Sequence, residues 1–235
     1  MAANKRINVL CTICARGGSK GVKNKNVRLI NNKPLIAHTV EVAKASGLFS
    51  DIVVSTDCDD IADAATSAGA RVLFKRPAHL ASDKAAKLPV IRHAFMEAER
   101  LLDMQYDVLF DLDATSPLRK VDDILGCYAM INSGEFRNVI TASPARRSPY
   151  FNLIEIDGNG TPFVSKGSLT DRRQDSPKCF DMNASIYVWT RESILNDDKL
   201  FSDKTGLFVM PEERSLDIDT ELDFSIVSAL MEQRL

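Results

Sequence analysis

Arg16, Lys20, Lys23 and Lys25 are gathered in the stretch Ile13-Cys14-Ala15-Arg16-Gly17-Gly18-Ser19-Lys20-Gly21-Val22-Lys23-Asn24-Lys25-Asn26, which follows the apolar run Ile7 to Ile13 without a break. A buried strand that empties into glycines and cations is suited to meeting phosphate. Gly17, Gly18 and Gly21 remove Cβ atoms that would hold a ligand off the backbone, so successive N–H groups can curl into an anion-binding concavity. The pattern is not a P-loop, since Gly-x-x-x-x-Gly-Lys-Ser/Thr is absent, nor is it the dinucleotide Gly-x-Gly-x-x-Gly. A glycine-rich surface turn with solvated lysines is the alternative reading of the same residues.

Two acidic pairs carry the next chemistry. In Ser215-Leu216-Asp217-Ile218-Asp219-Thr220-Glu221, Asp217 and Asp219 stand at i and i+2, which on an extended segment face the same way. Two carboxylates at roughly 5 Å repel by about 3 kcal/mol at an effective dielectric near 20 unless a cation lies between them. Oxygen ligands without histidine favour Mg²⁺ brought in with a nucleotide's phosphates. Helix capping is the other use for this segment, with Asp219 or Thr220 as N-cap and Glu221 in the first turn; capping by Thr220 and metal binding by the aspartates are compatible. Asp111 and Asp113 repeat the spacing at the end of an apolar run. They resemble the Asp-x-Asp with which nucleotide-sugar glycosyltransferases hold a metal and a nucleotide diphosphate. We favour the reading in which Asp111 points into the strand's flank and only Asp113 reaches a cleft, because Thr115-Ser116-Pro117-Leu118-Arg119 continues with hydroxyls and a cation.

The remaining candidates are weaker. His38 and His93 fall in helical patterns and His79 in a loop, none with a spaced partner, and no Ser-His-Asp arrangement or nucleophile elbow is present. Five cysteines in apolar surroundings read as reduced thiols. Cys11 and Cys14 form Cys-x-x-Cys inside the first strand, where positions three apart face opposite ways, so they share neither metal nor disulfide. Net charge is -2 over 235 residues, which gives the whole chain no attraction for nucleic acid or anionic lipid. No apolar run approaches the roughly 18 residues that span a bilayer, and Met-Ala-Ala-Asn-Lys-Arg lacks a signal peptide's apolar core. A cytoplasmic protein without membrane or nucleic-acid partners is expected.

These groups need a scaffold, and the chain supplies an alternating one. Pro34 opens and Gly47 closes a helical pattern; Asp51 to Thr56 reads as a strand. Asp59 to Ala68 reads as a helix stopped by Gly69, Arg71 to Phe74 as a strand, Leu88 to Leu102 as a helix and Asp107 to Leu112 as a strand. Such apolar runs separated by helices imply an α/β fold, with a largely parallel sheet in right-handed βαβ units and its ligands at the carboxyl ends of the strands. That rule sets the loops Arg16 to Asn26, Ser55 to Asp57, Arg76 to Asp83 and Asp113 to Arg119 side by side. From Ser143 to Cys179 prolines and an Asp157-Gly158-Asn159-Gly160 turn break the rhythm. This reads as a hairpin excursion that needs a cover, for which a second copy of the chain is the simplest candidate. Parallel-type order is expected to resume at Ala184 to Trp189, followed by a helix from Arg191, a strand from Gly206 to Met210 and a helix from Thr220. One domain, 1–235, is expected, with 143–179 as a dimerisation insertion.

Six ordered segments resemble the acylneuraminate cytidylyltransferases: A-R-G-G-S-K-G-V-K-N-K-N, I-V-V-S-T-D, R-P-A-H-L-A-S-D, T-S-P-L-R, N-A-S-I-Y and S-L-D-I-D-T-E-L-D. The resemblance implies a three-layer, Rossmann-like nucleotidyltransferase fold and transfer of CMP from CTP to the anomeric hydroxyl of a nine-carbon α-keto acid sugar, with Mg²⁺ as cofactor and a homodimer as the active form. By position it implies that Arg16 and Lys25 bind phosphate, that Ala15, Asn26 and Arg76 form the cytidine site with Ser82 and Lys87 on its border, and that Asp217 and Asp219 hold the metal. Asp219 is also the candidate acceptor of the hydroxyl proton. Arg173, Asn183 and Tyr187 correspond to sugar-site positions, with Asp113 and Ser116 beside them, and Phe201 to an apolar residue lent by a second subunit. Asp113 stands where sialic-acid members carry Gln, and Pro149-Tyr150-Phe151 where some show a lysine after Pro-Leu. L-D-A-T-S-P-L-R looks more like the branch acting on legionaminic-type diamino nonulosonates. Ionised Asp113 is expected to prefer a sugar group that donates. A glycosyltransferase using Asp111 and Asp113, or a non-catalytic nucleotide-binding module, are the other functions this sequence allows.

Overall fold

Most of the long apolar runs become strands buried on both faces, because helices cover the sheet on both sides; the edge strand at Leu207 and Val209 stays exposed. The structure, a computed structural model, describes residues 7–167 and 172–233. In chain order the elements are β1 (Val9–Cys14), β2 (Leu29–Ile30), β3 (Lys33–Pro34), α1 (Leu35–Ala45), β4 (Asp51–Ser55), α2 (Asp59–Ala68), α3 (Lys87–Leu102), β5 (Val108–Leu112), α4 (Val121–Asn132), β6 (Asn138–Pro144), β7 (Ile154–Ile156), β8 (Pro162–Val164), β9 (Phe180–Thr190), α5 (Arg191–Asn196), β10 (Thr205–Val209) and α6 (Glu221–Glu232). Side chains alternate across the sheet. Val9, Cys11 and Ile13 of β1 and Val108, Phe110 and Leu112 of β5 pack with α1, α2 and α4, while Leu10 and Leu109 pack with α3 and α5. The result is the expected three-layer α/β arrangement.

The central sheet runs β10-β6-β9-β5-β1-β4. β1 is parallel to β4 and β5, and β6 to β10. Two expectations need correction. β9, which covers Ala184 to Trp189, does not resume the parallel order but runs antiparallel to both β5 and β6. The excursion leaves from the carboxyl end of β6 and returns there, so the chain re-enters the sheet from that end. Arg71 to Phe74 is not a full strand. It touches the edge only at the parallel bridges Val53–Arg71 and Thr56–Lys75, because between them Leu73 and Phe74 turn to pack beside α3 and Val72 packs in the opposite layer.

Beneath the first loop a third apolar cluster joins Val22, Ile30, Leu35, Leu118, Ile218, Phe224 and Val227. It draws the segment before α6 against the loop after β1. That segment is also held from behind: Arg214 donates to both oxygens of Asp123, at 2.8 and 3.0 Å. Asp123 is fully buried and caps the start of α4 by accepting from Lys120 N at 2.8 Å. The hairpin β7–β8 stands apart, and every residue of β7 is exposed. Arg214→Met strands the buried Asp123 carboxylate and should lower the unfolding free energy by about 3 kcal/mol. Urea titration of the variant checks this: an unchanged midpoint contradicts the role given to the pair, and adding Asp123→Asn should recover part of the loss.

Candidate active site

The cation loop follows β1, at the carboxyl edge of the parallel strands. Asn26 Nδ2 donates to Arg16 O at 3.1 Å, closing the loop on itself, and Asn24 takes a left-handed conformation at φ 53°. The glycines serve a purpose the sequence did not reveal. A Cβ on Gly21 would lie 2.0 Å from the carbonyl oxygen of Asp219, and one on Gly17 2.8 Å from Cys58 Cβ, while Gly18 would meet nothing within 4 Å. Gly21 and Gly17 are therefore small because other parts of the protein approach them, and only Gly18 opens onto free space. The loop cations are paired internally: Arg16 and Lys20 both reach Asp83, and these contacts hold its carboxyl below the usual range. Lys23 is exposed and lines none of the three cavities described below.

Asp217 and Asp219 meet this loop from the far end of the chain. Lys25 Nζ donates to Ile218 O and lies 3.4 Å from Asp219 Oδ1. Thr220 is the N-cap of α6, with Asp223 completing a capping box, so capping by Thr220 leaves both aspartates available, as the sequence allowed. Arg28 braces the same turn through Glu221, at 2.6 and 2.7 Å, and over the Phe224 ring at 3.8 Å. Burial raises the pKa of Asp217, reinforced by the carboxylates of Asp113 and Asp219.

The end of β5 supplies the floor. Asp111 is buried in the strand, with Oδ1 accepting from Thr12 Oγ1 at 2.8 Å, and only Asp113 reaches a cavity, as favoured from the sequence. The cation between these two carboxylates is Lys87: its Nζ lies 2.7 Å from Asp113 Oδ2 and 3.9 Å from Asp111 Oδ2, above the Tyr187 ring at 4.5 Å. Burial works against the charge on Lys87, but Asp113 and Asp111 outweigh it and hold its pKa above the ordinary value. Burial likewise opposes ionisation of Asp113, yet Lys87 and Thr115 carry its pKa well below the carboxylate range. Thr115 Oγ1 bridges onward, 2.9 Å from Asp113 Oδ1 and in contact with Asp217 Oδ1. Arg119, buried, donates to the carbonyls of Asp113 and Ser116 and to Ser185 Oγ; burial lowers its pKa to about 10.

Three cavities adjoin along these loops. One of about 250 Å³ is lined by Arg76, Ser82, Lys87 and Asp113. It shares Cys14, Arg16 and Asp113 with a second of about 330 Å³, walled by Ala15, Lys20, Lys25 and Asn26 and closed by Asp217 and Asp219. Those two aspartates also line a third of about 410 Å³, with Arg146, Asn183 and Ser215. Arg76 is anchored by donating to Ser55 Oγ at 3.0 Å. Asn183 accepts from Thr141 Oγ1 at 2.7 Å and donates to Ser215 Oγ at 2.9 Å. It sits at an irregularity of β9 where Ala184 adopts φ 52°, a conformation that costs a residue with a Cβ about 1–2 kcal/mol. Ser116 and Tyr187 are buried and line none of the three cavities, and Phe201 is exposed away from them. The side chain of Arg173 lies outside the described residues. Sequence reasoning assigned no role to Thr115, Arg119 or Arg146; the hydroxyl and cation in Thr115-Ser116-Pro117-Leu118-Arg119 were the available signal for the first two.

Residues 10–193 match the family model described as cytidylyltransferase. The chain is 52% identical over 223 residues to the CMP-N,N'-diacetyllegionaminic acid synthase of Campylobacter jejuni, covering 95% of this chain and 94% of that protein. It is 51% identical to the post-translational flagellin modification protein B of Campylobacter coli, covering 96% of each. An N-acylneuraminate cytidylyltransferase of Streptococcus agalactiae is 33% identical over 92% of this chain and 51% of its own length. In fold, a CMP:2-keto-3-deoxy-manno-octonic acid synthetase complexed with CTP superposes with a TM-score of 0.72 at 17% identity, covering 97% of this chain and 100% of that one. The close approach at Gly21 yields a test: Gly21→Ala must push the loop off Asp219, whereas Gly18→Ala has room. Calorimetry should show nucleotide binding weakened at least about tenfold in the first variant and retained in the second; equal binding by both contradicts the packing described.

Proposed function

The chain belongs to the cytidylyltransferase family, and from that premise we propose that it joins CTP to a nonulosonic acid of the legionaminic type, releasing pyrophosphate. The observation that carries this reading is the row of three cavities. Arg76, Ser82 and Lys87 would border the cytidine, Arg16 and Lys25 would take the phosphates beside Ala15 and Asn26, and the cavity with Asn183 would take the sugar. Arg146 in that cavity wall would meet the sugar's carboxylate by exchanging its partner Glu212, and the branch is supported by the 52% identical CMP-N,N'-diacetyllegionaminic acid synthase. A glycosyltransferase metal site at Asp111 and Asp113 is disfavoured, since Lys87 already supplies their cation.

Asp217 and Asp219 fit Mg²⁺: they are hard oxygen donors at the seam between the phosphate and sugar cavities. Among the described residues no group of three or more His, Cys, Asp or Glu could hold a metal, so phosphate oxygens and water would complete the ligands. Bound there, Mg²⁺ supplies charge neutralisation for the phosphates. Lys25 and Arg16 orient the triphosphate; Arg16 must exchange Asp83 for it. The anomeric hydroxyl attacks the α-phosphorus, a new P–O bond forms, the bridging bond to the β-phosphate breaks, and the electrons leave with pyrophosphate. Lys25, 11% exposed and next to Asp219, is placed for the charge that grows on the leaving oxygen. Asp219, exposed to the sugar cavity, accepts the hydroxyl proton.

No helix among the described residues is long and apolar enough to cross a membrane. The exposed Ile154, Ile156 and Phe163 of the hairpin, with Leu207 and Val209 on the edge strand, support a homodimer through the 143–179 excursion, since a lone hairpin is marginal in water. Phe201 would then face the partner's sugar cavity. Incubation with CTP, Mg²⁺ and a panel of nonulosonic acids should yield a CMP-sugar and pyrophosphate; tight CTP binding without turnover on any acceptor refutes catalysis. Asp217→Asn and Asp219→Asn should each cut turnover by about two orders of magnitude or more, with the fold intact, and near-normal rates at limiting Mg²⁺ would refute the metal assignment. Light scattering at micromolar concentration should give a dimer, and a fully active monomer contradicts the shared site.

A further inference from the structure

Both oxygens of Asp113 already accept from donors of the protein itself. Oδ2 accepts from Lys87 Nζ at 2.7 Å and Oδ1 from Thr115 N at 3.1 Å, while the single proton of Thr115 Oγ1 stands between Asp113 Oδ1, 2.9 Å away, and Asp217 Oδ1. Asp113 lines the Arg76 cavity and the cation-loop cavity but is absent from the walls of the Asn183 cavity. Its partners divide in the same way. Lys87 stands in the wall of the Arg76 cavity, and Thr115 carries the network to Asp217 Oδ1 while its own carbonyl accepts from Ile218 N at 3.0 Å. Asp111, two residues earlier on β5, has its carboxylate 3.9 Å from the same ammonium. Lys87 therefore cannot swing away without leaving buried negative charge uncompensated. Asp113 keeps an acceptor site on Oδ2 and is 23% exposed, but it opens onto the Arg76 and cation-loop cavities and not onto the Asn183 cavity, so a donor that reaches it comes from the nucleotide side.

Building on the CTP-dependent reading above, we infer that Asp113 is a positioning residue for the nucleotide half of the site, not a contact to the sugar: it fixes Lys87 at the wall of the base-side cavity and, through Thr115, sets the direction of Asp217. One side chain at the end of β5 thereby keeps the nucleotide wall in fixed relation to the aspartates at the seam. The choice between sugars, expected from the sequence to rest on Asp113, falls instead to the residues around Asn183.

Asp113→Asn keeps an acceptor for Thr115 and nearly the same volume while removing the charge that faces Lys87. Loss of a hydrogen bond between charged groups should raise the KM for CTP, and the Kd for CTP measured by calorimetry without sugar, by about tenfold or more. The KM for the sugar should stay within about twofold, and the ratio of kcat/KM between a diamino nonulosonate and N-acetylneuraminic acid should not move. Lys87→Met should act like Asp113→Asn, the double variant should bind CTP no worse than the weaker single, and Asp113→Glu should recover part of the affinity. Thr115→Val tests the other arm without touching Asp113: Mn²⁺ binding followed by EPR in the presence of CTP should weaken. A changed sugar ratio with CTP binding at the wild-type value, additive effects at Asp113 and Lys87, or unaltered Mn²⁺ binding in Thr115→Val would each overturn the inference. Failure of the wild type to bind or turn over CTP would instead refute the cytidylyl-transfer reading itself.

Discussion

The site depends on one contact between the two ends of the chain: the loop after β1 rests on the segment before α6, with Gly21 bare against the Asp219 carbonyl and Lys25 Nζ bonded to Ile218 O. Lys25 and Ile218 are separated by 193 positions, so closing this contact is entropically costly and must be supported elsewhere. The support comes from the apolar cluster of Val22, Leu118, Ile218 and Phe224 underneath, from Arg28 on Glu221, and from Arg214 on Asp123 behind. Without that seam the cations and the metal-binding candidates would belong to separate surfaces.

Charge is arranged by the same economy. Arg16 and Lys20 share Asp83, Lys25 faces Asp219, and Lys87 lies between Asp111 and Asp113. Exposed pairs such as those of Asp83 are weak in water and yield readily to a triphosphate. The pair at Asp113 is different because Lys87 also faces the fully buried Asp111: moving it away leaves that carboxylate uncompensated, so it persists while ligands come and go. Exchangeable cations line the wall where phosphate would enter, and fixed ones form the frame.

Much of this was legible because it is local. Gly69 stops α2 in the left-handed conformation at φ 97°, and Thr220 caps α6; both follow from residue type and a few neighbours. The strand-to-loop transition at Arg16 and the paired aspartates 217 and 219 were readable for the same reason. What was not legible is set by distant partners. The direction of β9 depends on where the excursion re-enters the sheet, and Arg71 to Phe74 fails as a strand because its apolar side chains turn to opposite layers. Gly21 looked like a residue cleared for a ligand, whereas its neighbour is Asp219. That only Asp113 of the Asp111 and Asp113 pair reaches a cavity was legible, but the partner that holds both carboxylates, Lys87, lies many residues upstream and was not.

The central claim is that the α-phosphorus of CTP is transferred across the seam between Lys25 and the two aspartates to the sugar hydroxyl. The most direct measurement is a label-partition experiment with CTP carrying ³²P at the α or at the β position, a nonulosonic acid acceptor and Mg²⁺. The account predicts all α label in the sugar-linked product and all β label in pyrophosphate. Appearance of β label in the sugar product, or release of CTP-derived pyrophosphate with the α label left on free CMP, would contradict it.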